Sequence, residues 1–146
     1  MSRVLRACGI LLLAAAALSG CAFVPEAPVT TALLDQVPTE IPRRPASRLA
    51  LLVFPPKARP SLDTLQMAYS LRAHHLAYLA RNQWAETPPQ MLHPLLLRTL
   101  EATGAFASVL APPAASGPTL GLRTEIIDLM QDFSQEPPLL RLALRV

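Results

Sequence analysis

Few side chains in this sequence are of types that do chemistry, and their spacing decides what they can do. Cys21 closes the stretch Leu18-Ser19-Gly20-Cys21, where small neighbours leave a thiol open as a nucleophile. His74 and His75 are adjacent, so on a strand their side chains point to opposite faces and cannot easily meet on one metal; His93 stands apart. Structural zinc needs four converging ligands and catalytic zinc three with an open position, so no metal site is expected and the histidines read as polar turn or surface residues. There is no Gly-x-Ser-x-Gly elbow, His-Glu-x-x-His helix or Gly-rich phosphate loop. Asp63, Glu86, Glu101, Glu125, Asp128, Asp132 and Glu136 are scattered and read as solvated residues or caps. A hydrolase needs a nucleophile, a base and an orienting group within reach, and no such set is visible; the expectation is a protein with neither catalytic residues nor a cofactor.

Binding chemistry has more candidates. Aromatic residues make up 5% of the chain, which singles out Trp84, Tyr69 and Tyr78 as core anchors or as an exposed docking patch. Arg43, Arg44, Arg48, Lys57 and Arg59 follow one another with no acid among them. They form either a solvated rim around a strand or a contact for lipid headgroups or an acidic partner. The formal charge of +3 includes Arg3 and Arg6 of the N-terminal stretch, and without these two the 13 basic residues fall to 11 against 10 acids. Such a balance supplies no long-range field for nucleic acid.

The elements that must position these residues begin with a leader. Arg3 and Arg6 precede an apolar run from Ile10 to Leu18 that ends in small residues, the pattern of a secretory signal over residues 1–20. The run falls short of the roughly 20 residues of a spanning helix. The stretch Leu18 to Cys21 resembles the lipobox of bacterial lipoproteins, which implies a diacylglycerol thioether on Cys21, cleavage before it and acylation of the new amine. Ala22, where an aspartate would favour inner-membrane retention, resembles outer-membrane sorting in a Gram-negative bacterium. With Cys8 removed and Cys21 lipidated, no disulfide forms in the mature chain.

Residues 21–45 carry Pro25, Pro28, Pro38, Pro42 and Pro45 and read as an extended tether with one strand candidate, Thr30 to Asp35. Residues 46–146 read as one domain. Arg48 to Phe54 is a short apolar run stopped by Pro55-Pro56, the best candidate for a central strand. The stretch 61–84 is ambiguous, because leucine and alanine favour helix whereas the tyrosines favour strand. As a hairpin it places Met67, Tyr69 and Leu71 on one face, and Leu76, Tyr78 and Ala80 on one face of the return strand. Thr87, Pro88 and Gln90 predict a capped helix start, and Gly104 its stop. Leu92, Leu95, Leu96, Thr99, Leu100 and Thr103 form its inward stripe, with Pro94 expected to kink it. A short strand is expected up to Leu110, then a strand pair joined around residues 134–138, its first member alternating Leu120, Leu122, Thr124 and Ile126 on one side and its second setting Arg141 and Arg145 opposite Leu140, Leu142, Leu144 and Val146. That pattern still runs at Val146, which points to a truncated C-terminus or an edge completed by a partner.

A strand ending at Val53 to Pro56, Asp63 before Met67-Ala68-Tyr69, the turn Trp84-Ala85-Glu86, the run Met91 to Phe106, and Gln131 to Ser134 followed by an alternating strand resemble the auxiliary lipoproteins of ABC-type transport systems. The resemblance favours strands in the ambiguous stretch. It implies a single compact α/β domain, with a mixed or antiparallel sheet and packed helices, behind a lipobox signal peptide. It further implies a periplasmic, outer-membrane-anchored subunit that works with an inner-membrane ABC permease and ATPase and an MCE-type substrate-binding protein in lipid transport. A binding module that holds lipid in an apolar pocket of its own is the competing reading.

Overall fold

The computed structural model describes residues 26–113 and 117–146. The leader, the lipobox and Cys21 lie outside them. Nine short strands and one helix are present among the described residues: β1 (Thr30–Ala32), β2 (Ala50–Val53), β3 (Lys57–Ala58), β4 (Gln66–Ser70), β5 (Ala77–Trp84), α1 (Pro88–Ala102), β6 (Ser108–Leu110), β7 (Thr119–Leu122), β8 (Glu125–Asp132) and β9 (Leu139–Arg145). A six-stranded mixed sheet has the order β1-β5-β4-β8-β3 with β9 paired on β8, and a three-stranded parallel sheet has the order β6-β2-β7. This is a single α/β domain with a mixed sheet. Where several packed helices were expected, the described residues contain α1 alone.

The ambiguous stretch is a hairpin. Tyr69 pairs with Ala77 and Ala68 with Tyr78 across a turn at residues 71–76. Burial along β4 alternates with a period of two, as a strand requires. The buried face is that of the small Ala68 and Ser70, while Met67 and Tyr69 stay half-exposed. The expected central strand is β2, flanked on both sides, with Leu51 and Val53 buried.

Helix α1 obeys its terminus signals. Pro88 occupies the first turn, where a missing N–H costs nothing, and Gln90 Oε1 accepts the Thr87 N–H at 3.0 Å. Gly104 follows the Thr103 cap at φ +65°, a left-handed conformation in which glycine avoids the Cβ clash. The helix runs unbroken through Pro94. Its predicted stripe is half-buried throughout; the most enclosed residues are Pro88, Pro89 and Met91, in the first turn. Met91 is sealed from outside, where its sulfur accepts the Leu34 N–H at 3.4 Å.

Two features depart from the reading by pattern. The alternating run from Leu120 to Ile126 divides at residues 123–124: β7 joins β2, whereas β8 enters the larger sheet. The proline-marked N-terminal segment also lies against the domain. β1 pairs in parallel with Asn82–Trp84, Arg98 donates to the Asp35 carbonyl at 3.3 Å, and the Arg44 N–H donates to the Thr103 carbonyl at 3.1 Å. The main core cluster is Leu62, Ala68, Ile126 and Leu129, with Tyr78, Trp84 and Leu92 packed on it.

Candidate functional site

The β8–β9 ladder collects most of the charge that the structure organises. Register shifts between Ile126 and Asp128, and beyond this bulge Asp128 and Asp132 share the side of the sheet on which Arg141 lies. Arg141 bridges them at 3.4 and 3.3 Å, and Arg145 meets Glu125 at 2.7 Å. Asp132 Oδ1 also accepts the backbone N–H of Ser134 at 2.9 Å and its hydroxyl at 2.6 Å. These Ser134 bonds, reinforced by Arg141, hold the Asp132 carboxyl below its ordinary pKa against the opposing effect of burial. A carboxylate held ionised in this way is a poor general base, so the arrangement fastens β9 rather than moving protons.

The histidines divide by environment. His93 Nε2 lies 3.0 Å from the Val53 carbonyl, so this residue ties α1 to β2 and is not the turn or surface histidine expected. His74 sits in the β4–β5 turn at φ +60° and is exposed; His75 is half-buried. No group of three potential metal ligands occurs among the described residues.

The three aromatic candidates are all half-buried. Tyr78 donates its hydroxyl to the Ser61 carbonyl at 3.0 Å and packs on the core. Tyr69 meets Phe133 edge to face, with ring centroids 6.0 Å apart. Trp84, at the end of β5, leans on the core and walls a groove of about 120 Å³ together with Met67, Leu79, Leu129 and Leu140. From this groove the outer face of β9 continues with Leu140 at 71% exposure, Leu142 at 53% and Leu144 at 38%. Alternation along the last strand revealed that face; the groove beside it, built from four strands, had no signal in any one segment.

Arg43 and Arg44 are exposed and sit at the C-terminal end of α1, where Arg44 bonds Thr103. Trp84 precedes the other end. A helix of 15 residues is about 22 Å long, so the fold separates the arginines from the tryptophan.

Among solved structures, a crystal structure of a protein from Xanthomonas campestris is similar, with a TM-score of 0.65 at 22% identity over 79% of this chain and 64% of that one. The chain thus spans less than two-thirds of that protein's length. A crystal structure of an uncharacterized protein gives 0.56 at 15% identity over 82% and 79% of the two chains. At these identities the likeness establishes the fold. No curated protein matches the chain. Residues 32–140, about three-quarters of the sequence, match the family model described as an ABC-type transport auxiliary lipoprotein component. A strand-rich domain of this architecture, matched over that span, belongs to the ABC-type transport auxiliary lipoprotein family.

Proposed function

We propose that the protein is a non-catalytic auxiliary subunit of an ABC-type lipid transport system, held at the periplasmic face of the outer membrane by acyl chains on Cys21. The partners would be an inner-membrane permease and ATPase and an MCE-type substrate-binding protein. Family membership over residues 32–140 is the observation that carries this reading. No helix among the described residues is long and apolar enough to cross a membrane. Lipid supplies the attachment: each acyl CH₂ buried in the bilayer contributes about 0.8 kcal/mol, and two or three chains hold where one would not. In this proposal residues 1–20 are the removed leader, and the tether expected over residues 21–45 is shortened where β1 and Arg44 bond the domain.

Docking falls to Trp84 and Tyr69, whose rings are partly open, and Tyr78 serves as an internal anchor because its hydroxyl is already bonded. Arg43 and Arg44 face headgroups or an acidic partner. The competing reading, a lipid held in an apolar pocket, finds too little room beside Trp84. The groove beside Trp84 offers about 120 Å³, against the roughly 300–1,000 Å³ of ordinary ligand sites.

The test is in-cell crosslinking followed by membrane isolation. Wild type is expected to recover a permease or an MCE-type protein. Trp84→Ala should remain folded and lose that partner. Cys21→Ser should stop incorporating labelled palmitate and leave the membrane fraction. Recovery of no transport component with wild type would refute the proposal.

A further inference from the structure

A second cavity, of about 570 Å³, opens on the side of the sheet that carries the Asp–Arg network. Its size suits a small organic ligand rather than a bare ion. One wall holds Arg59 and the β4–β5 turn with Arg72, His74 and His75; the other holds Asp128, Asp132 and Arg141. Arg141 bridges both aspartates with one positive charge against two, so that inner wall keeps a net negative charge. Arg59 and Arg72 are exposed, and neither has an acidic partner among the described residues. The unbalanced field at the mouth is therefore positive and comes from guanidinium groups, whose forked donors fit the oxygens of a phosphate.

The walls also have unmet hydrogen-bonding capacity. Oδ1 of Asp128 and Nδ1 of His75 are buried without a partner. Buried polar atoms are nearly always bonded, so two orphans on residues that line one cavity mark a place where a ligand's polar atoms belong. Both atoms are covered in the structure, so a ligand meets them only with a change of the terminal torsion, which is soft in each side chain. An ionised carboxylate oxygen only accepts, so the group that completes Asp128 must donate.

We propose that this cleft binds a phosphate ester with a hydrogen-bond donor at its far end, phosphoethanolamine being the simplest example. The phosphate sits between Arg59 and Arg72, and the ammonium reaches inward to Asp128. The ligand is either a free ester or the headgroup of a lipid. The site belongs to this chain alone and stands whether or not the transport reading holds.

The full chain, purified from membranes in maltoside micelles, is titrated calorimetrically with glycerophosphoethanolamine. Saturable binding is expected, weakened about tenfold or more by Arg59→Gln or Arg72→Gln, each of which removes charge-assisted bonds. Both positions are exposed and free of ion pairs, and circular dichroism confirms that the variants are folded. Inorganic phosphate should bind about tenfold more weakly than the ester, and so should glycerophosphocholine, whose quaternary nitrogen has no N–H. Asp128→Asn should abolish the preference for ethanolamine over choline. Dihexanoyl phosphatidylethanolamine binding at least as tightly as the glycerol ester identifies a lipid headgroup, and its exclusion identifies a free ester. No saturation by about 10 mM ester, or binding indifferent to both arginine substitutions, overturns the proposal.

Discussion

At the scale of single residues, Asp132 shows how a carboxylate can stabilise without reacting. Its bonds to Ser134 and Arg141 lower its pKa in the folded state. The associated stabilisation is complete above the ordinary carboxylate pKa and is lost as pH falls through the depressed folded value. Asp132→Asn should therefore be less stable than wild type at neutral pH, and urea unfolding at a series of pH values should find the difference shrinking toward the acid limit. A constant difference would show that geometry, not charge, is what the substitution removes. The partnership was only half legible in the sequence. Alternation put Arg141 and Arg145 on one face of β9, but Asp128 and Asp132 read as solvated because nothing local announces the bulge after Ile126. The charged cleft was hidden for a similar reason: its walls come from segments near residues 59, 72, 128 and 141, brought together by pairing across the sheet.

Among the elements, α1 was the most legible. Thr87, Pro88, Gln90 and Gly104 act through the backbone within a few residues, so their effect barely depends on the rest of the fold. Gly104 provides a clean test. A Cβ added there would meet nothing within 4 Å, so the cost of alanine is conformational alone. Gly104→Ala should lower stability by about 1–2 kcal/mol, the penalty of a left-handed conformation for a residue with a Cβ, as read by denaturant unfolding. Elsewhere the pattern misled because alternation carries no mark of which sheet a strand joins. Leu120 to Ile126 keeps its period across Arg123-Thr124, yet the chain changes sheets there. β3, two residues long, is too short for any period to register. Proline spacing predicted an extended N-terminal tether, but an extended backbone can still bond a neighbour, as happens at Leu34 and Arg44.

For the molecule as a whole, the arrangement leaves one long apolar boundary. β9 has seven residues and, among the described residues, is joined to β8 alone, with Leu140, Leu142 and Leu144 in a row. Such a strand invites pairing with another chain. Leu140→Lys, at the most exposed of the three, should reduce self-association measured by light scattering while changing stability by about 0.5 kcal/mol or less. Equal scattering from both proteins would clear this strand. At the opposite boundary of the same sheet lies β1, only three residues long. Any mechanical load applied through the N-terminus reaches this short strand, held by three register pairs, before the rest of the domain. Once it slips, residues 30–44 can peel from α1 and let out roughly 50 Å of slack at about 3.4 Å per residue. The domain thus carries a fuse and a reserve of line, able to yield to a tug while its core stays folded.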